Sequence, residues 1–213
     1  MFRWKRVEIA AALALLITLA CSAVYMHTTL QTQTAMAEKM VRLHVLANSD
    51  SETDQQRKLL VKDAVSARTE ELLRLAEDQQ EAELLLEHSL PELQELAMET
   101  LADNGRAEDV RVSLVTTRFS TRYYDGFTLP AGKYRSLQVV IGEGKGQNWW
   151  CVVFPPLCSA GQEELSEAAS RAGFSAEEID LIRRGEREYL LRFRSIELWN
   201  RLWQFLTENG YGA

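Results

Sequence analysis

His27, His44 and His88 are the imidazoles of this 213-residue chain, and His44, with Asp50 and Asp54 nearby in sequence, is the one that could be general-base machinery. A histidine beside an aspartate is the minimum set for general-base activation of water. His44 with Asp50 therefore defines an enzymatic reading, that of an extracytoplasmic hydrolase. His27 closes an apolar run, and His88 lies beside a helix start signal. No Ser or Cys stands in a nucleophile elbow, and no His-x-x-x-His spacing offers a metal pair. No catalytic residue, metal or cofactor is expected.

Gly142-Glu143-Gly144-Lys145-Gly146 resembles a phosphate cradle at first sight. Lys145 is followed by Gly146 and not by the Ser or Thr of a P-loop. A dinucleotide site needs a helix after its glycines, and here a β pattern follows. Glu143 would also repel phosphate. A turn between strands fits better, with Lys145 and Asn148 exposed and able to meet a partner. Trp149-Trp150 on a strand places one indole on each face of the sheet. One belongs in the core, and the other is covered by a helix or serves as an interface anchor.

Cys151 and Cys158 are candidates for a disulfide. Seven steps of extended chain span about 23 Å, far beyond a bridge. Pairing therefore requires Phe154-Pro155-Pro156-Leu157 to reverse, whereas consecutive prolines favour extension. The alternative for Cys151 is a buried core thiol.

The elements that must carry these residues follow from periodicity. Met40 to Leu46 alternates, with Met40, Arg42 and His44 on one face and Val41, Leu43 and Val45 on the other. Asn48-Ser49-Asp50-Ser51 breaks the strand, and Asp50 or Ser51 caps a helix from about 55 to 76. A short helix is expected near 81–87. Another opens at Ser89-Leu90-Pro91-Glu92, presents Leu90, Leu93, Ala97 and Leu101, and ends at Asn104-Gly105. Strands are expected over 110–119, 137–141 and 149–154, with a loop over 125–132. The last strand is apolar throughout and reads as central. Helices over 161–172 and 175–184, a strand over 188–194 and a helix over 195–208 complete the chain. The order implies an α+β fold: a mixed or antiparallel sheet of four or five strands covered by helices.

Arg3, Lys5 and Arg6 precede an apolar run from Ile9 to Met26. That pattern describes a signal peptide or a single anchor helix, and everything after it is exported. Cys21-Ser22-Ala23 and Ala35-Met36-Ala37 are small-residue cleavage candidates. The expected organisation is a signal or anchor over 1–27, a polar linker over 28–39 and one exported domain over 40–213. The net charge is −7, with +2 in the first 37 residues and −9 beyond them. An acidic domain repels phosphates, which argues against nucleic acid as partner.

His44-Val45-Leu46-Ala47-Asn48-Ser49-Asp50-Ser51, then Asp54-Gln55 and Lys58, resemble the opening of the stage II sporulation protein R family. So do Phe119, Thr121 and Tyr124, the block Leu129-Pro130-Ala131-Gly132-Lys133-Tyr134, and the run from Ile141 to Cys158. The resemblance implies a signalling protein of endospore-forming bacteria. Such a protein is made in the forespore and exported into the space between the forespore and mother-cell membranes. There it triggers a membrane-embedded aspartic protease that removes the pro-sequence of the mother-cell sigma factor. It implies an activating ligand, without a small-molecule substrate and without an assigned contact surface. The expected surface is Asn48, Ser49, Asp50, Lys145, Asn148 and Trp149, polar turn positions plus one aromatic in the most family-like blocks. Asn48 and Asp50 could equally serve the turn and cap alone. A structural scaffold of the intermembrane space is a further alternative.

Overall fold

The computed structural model describes residues 2–105, 107–124, 126–157 and 162–183. Its elements run α1 (Phe2–Ala37), β1 (Val41–Leu46), α2 (Glu52–Leu73), α3 (Gln79–Asp103), β2 (Val110–Phe119), β3 (Arg122–Tyr124), β4 (Phe127–Leu129), β5 (Gly132–Ile141), β6 (Asn148–Phe154), α4 (Gln162–Arg171) and α5 (Ala176–Arg183). The α+β class is as expected. The strand over 188–194 and the helix over 195–208 lie outside the described residues.

The four-stranded sheet has the order β2-β5-β1-β6. β1 runs parallel to β5, and the outer strands are antiparallel to their neighbours. α2 and α3 cover the face that carries Val41, Leu43 and Val45. Arg135, opposite Val41 in the register, reaches Glu83 of α3 at 2.8 Å. Val61, Val65 and Leu73 from α2 and Ala82, Leu86, Leu93, Ala97 and Leu101 from α3 fill this side of the core. Their three- and four-residue spacing makes one apolar stripe per helix.

β6 corrects the expectation of a central strand: among the described residues it is an edge. Its apolar run reflects burial on both faces rather than strands on both sides. Residues 151–154 are all buried.

α3 is one helix and not two. Asp78 caps it, accepting from Glu81 N at 2.9 Å, while the Glu81 carboxylate reaches back to Glu77 N at 2.9 Å. This reciprocal box starts the helix eleven residues before Ser89. Pro91 sits inside it on the exposed side, where a carbonyl freed by the missing N–H is open to solvent.

Residues 28–39, expected as a linker, continue α1 through Ala37. Thr29, Gln33, Met36 and Ala37 are buried, followed by Met40. Those positions lie on one helical face. The threonine hydroxyls donate to carbonyls three or four residues back, Thr28 and Thr29 to Tyr25 O, Thr32 to Thr28 O and Thr34 to Leu30 O. This bonding lets a polar stretch remain helical. Gln79 Nε2 ties the end of the helix to α3 through Met40 O at 2.8 Å, and Lys39 pairs with Glu178 of α5 at 2.7 Å. The apolar span Ala11–Ala37 is long and apolar enough to cross a membrane, as a signal or an anchor requires.

Candidate functional site

The connection from β1 to α2 and the connection from β5 to β6 lie against each other. Gly146 N donates to Ala47 O at 2.9 Å and Lys145 N to Asn48 O at 3.2 Å. Asn48 Oδ1 accepts from Glu143 N at 3.0 Å, and its Nδ2 donates to Asp54 Oδ2 at 3.0 Å. Ser49 Oγ donates to the same carboxylate oxygen at 2.6 Å. Asp50 Oδ1 accepts from Gln147 N at 2.7 Å. Ser51 is the cap of α2, its hydroxyl accepting from Asp54 N at 3.2 Å. Lys58 reaches in from α2 to Gln147 O at 3.1 Å and Gln55 Oε1 at 2.6 Å. Burial pushes the Lys58 ammonium below its usual pKa, and nearby Asp50 opposes that shift.

The glycines serve this knot. At Gly146 a Cβ would collide with the carbonyl of Ser49, and Gly142 combines φ +55° with a Cβ position blocked by Asn48 Oδ1. Gly146→Ala is therefore expected to lower stability by about 3 kcal/mol through forced separation of the two loops. Urea denaturation measures it, and a loss under 1 kcal/mol, on the order of noise for surface changes, would show that the loops separate freely.

Of the six residues expected at a contact surface, three are engaged in the hydrogen bonds of the knot, Asp50 while remaining exposed, and three are exposed outside it. The side chains of Asn48, Ser49 and Asp50 hold the knot. Lys145 is exposed and pairs with exposed Glu143 at 2.8 Å. Asn148 is exposed, and Trp149 is 38% exposed with Lys62 Nζ 4.9 Å from its ring centre. Trp149 borders a cleft of about 210 Å³ between α2 and β6, lined also by Ser66, Thr69, Cys151 and Pro156. Cys151 is disulfide-bonded and Cys21 is free. Cys158 lies outside the described residues. The chain after β6 bends rather than extending, with Leu157 N donating to Pro155 O at 2.7 Å.

The opposite face of the sheet carries a cluster the sequence did not single out. Arg42 is fully buried, with its guanidinium 3.9 Å from the Phe119 ring centre and 4.9 Å from that of Tyr134. Its Nη2 donates to Tyr124 Oη at 2.5 Å. No carboxylate among the described residues pairs with it, and Nε and Nη1 have no partner. An uncompensated buried charge costs several kcal/mol, and each ring face returns only about 0.5–2 kcal/mol. His44 stacks on Trp150 with ring centres 3.6 Å apart and meets Gln138 at 3.3 Å.

Burial pushes His44 from 6.5 down to about 4, helped by the charges of Arg122 and Arg42 and opposed by the nearby Asn148 side chain. In the window between those values the unfolded chain takes up a proton that the native ring refuses. Stability is unaffected above the upper value and falls as pH drops through the window, by about 2 kcal/mol once solvent screening is allowed for. His44→Phe should abolish that fall in a pH series of thermal melts. An identical slope in the variant would assign the loss to other groups.

The family described as stage II sporulation protein R matches residues 37–164. This chain belongs to the stage II sporulation protein R family. The match runs from the last residue of α1 into the start of α4 and takes in the whole sheet, the knot and the Arg42 cluster. Stage II sporulation protein R of Bacillus subtilis (strain 168) is 37% identical over 121 residues, which cover 57% of this chain and 54% of that protein. The chain thus spans about half the length of that curated relative. No solved structure matches it.

Seen as a member of the stage II sporulation protein R family, the chain does not bring His44 and Asp50 together. Asp50 is spent on Gln147 N, and His44 on Gln138 and Trp150. Arg42 escaped notice because alternation placed it beside His44 without showing that the face is closed by aromatics. The signal available was a charged residue, two places before His44, in a strand whose other residues are apolar, with Phe119, Tyr124 and Tyr134 in the resembling blocks.

Proposed function

We propose that this chain is an exported sporulation signal that activates a membrane-embedded aspartic protease. The protease then removes the pro-sequence of the mother-cell sigma factor, after export of the domain from the forespore into the intermembrane space. Membership of the stage II sporulation protein R family across residues 37–164 carries this reading. It is supported by the N-terminal apolar helix, which suits export or anchoring. It is also supported by the outward set Lys145, Asn148 and Trp149, which offers a charged and aromatic contact beside a cleft. An activating ligand needs no catalytic set of its own. It needs a higher affinity for the active state of its receptor, by about 5.5 kcal/mol to move that state from 1:99 to 99:1.

The test is reconstitution in a non-sporulating host. The domain, the membrane protease and the pro-sigma factor are co-expressed, and pro-sequence removal is followed by gel shift. Cleavage only when the domain is present is the expected result. No cleavage, with all three partners folded and correctly placed, removes the activator reading and raises the scaffold and hydrolase alternatives. In the same assay Trp149→Ala should reduce cleavage by more than its loss of stability accounts for, the latter followed by urea denaturation because a ring 38% exposed also loses packing. Full activity in Trp149→Ala would take the contact away from this edge.

A further inference from the structure

We propose that Arg42 and Arg122 form a receptor for a single carboxylate, an Asp or Glu side chain supplied by a protein partner. The geometry points to it in three steps.

The first concerns what is unspent. Arg42 Nε and Nη1, Arg122 Nε, His44 Nε2 and Ser136 Oγ are all buried and without hydrogen-bond partners. They gather on one region of one sheet face. Ser136 is opposite Arg42 in the β1–β5 register, His44 lies two residues along the same strand, and the Arg122 guanidinium is 5.2 Å from the ring centre of Trp150, on which His44 stacks. Isolated unsatisfied groups are ordinary, but five unsatisfied atoms on four neighbouring residues are a site awaiting an acceptor.

The second concerns charge. The chain has 31 Asp and Glu against 24 Lys and Arg. It has acids to spare, yet neither guanidinium is paired with one among the described residues. Two cations facing a shared region repel, and each lowers the other's preference for burial until an anion enters. Arg122 does lower the pKa of Arg42, after the larger effect of burial.

The third concerns shape. Phe119 and Tyr134 lie against the Arg42 guanidinium, and the donors left over, Nε and Nη1, lie in its plane and are buried. In-plane donors between aromatic walls suit a flat acceptor, a carboxylate, better than a tetrahedral phosphate. Arg122, Tyr124 and Trp150, which contact this cluster, are each partly exposed. The Tyr124 hydroxyl already sits on Nη2 and marks where an oxygen is accepted.

This site is independent of the activator reading. Under that reading the carboxylate belongs to the receptor. The experiment uses the full chain in detergent micelles with 15N-labelled arginine. Blocked glutamate, N-acetyl-glutamate α-amide, is titrated at constant ionic strength, with inorganic phosphate and chloride in parallel. The expected result is a saturable shift of the Arg42 and Arg122 Nε–H resonances with blocked glutamate; in Arg42→Met, which has no Arg42 resonance, the shift is followed at Arg122 and should be lost. Replacing a buried unpaired cation by an apolar side chain of similar length should leave Tm unchanged or raise it. Loss of the shift in that variant then reports binding and not unfolding. Arg42→Lys, which keeps the charge and loses the planar fork, should weaken the shift of the Arg122 resonance. The proposal is overturned if blocked glutamate gives no saturable shift. It is overturned equally if phosphate shifts the resonance and glutamate does not. It also fails if the resonance moves on changing Glu186, Glu188, Glu197 and Glu208 to Gln, which would make the acceptor part of this chain. Failure here leaves the reconstitution result standing, and failure there leaves this titration standing.

Discussion

Asp54→Ala should destabilise the domain by about 3–4 kcal/mol, as befits a buried carboxylate that accepts several charge-assisted hydrogen bonds. The carboxylate is 6% exposed and receives Asn48 Nδ2 and Ser49 Oγ on one oxygen and Arg57 at 3.3 Å on the other. Removing it strands an amide and a hydroxyl at the centre of the knot. It also unfastens the loop that positions Lys145, Asn148 and Trp149. Asp54→Asn keeps the volume and should cost less, because one acceptor oxygen becomes a donor facing other donors. Urea midpoints at neutral pH measure both. If Asp54→Ala cost less than about 1 kcal/mol, the range of an ordinary surface change, Asn48 and Ser49 would be free to serve a partner instead.

The second large effect concerns the N-terminal helix. A chain beginning at residue 28 should be as stable as one carrying the full α1. A chain beginning at residue 38 should lose about 4 kcal/mol, since it removes the fully buried Met36 with Thr29, Gln33 and Ala37. That corresponds to roughly 10 °C in Tm for a domain of this size. Cleavage at Ala35-Met36-Ala37 would cut through buried positions, whereas cleavage at Cys21-Ser22-Ala23 lies in an exposed stretch. The mass of the mature N-terminus therefore should never correspond to a start at Glu38. Equal stability of the two truncations would show that the packed segment contributes nothing.

The sequence made the alternation of β1, the cap at Ser51, the glycine turn and the split of the two indoles legible because each rests on local geometry. What it concealed depended on tertiary neighbours. Composition shows that a strand is buried on both faces and not which strands flank it, so β6 read as central. Thr28 to Ala37 shows no hydrophobic period because its buried face is made of Thr29 and Gln33 as well as Met36. Pro91 looked like a start because an exposed internal proline costs little to hydrate at that surface, and no pattern reveals exposure. The hairpin of β3 and β4 is two strands of three residues each, too short for alternation to register. The contact surface divided for a related reason. Asn and Asp are as fit for knitting a turn as for meeting a partner, and only the hydrogen bonds decide which.

Because α1 runs unbroken from the apolar span into the packed segment, only about three residues, or roughly 5 Å, separate Met26 from the first buried position. As long as the helix stays attached, the domain rides on a stiff, very short tether. A folded unit of this size is about 40 Å across, so under the proposed activator reading a receptor on a facing membrane would be touched only where the gap narrows to about that distance. Signalling would then measure membrane apposition as well as the presence of the signal, and release of the domain would erase that measurement.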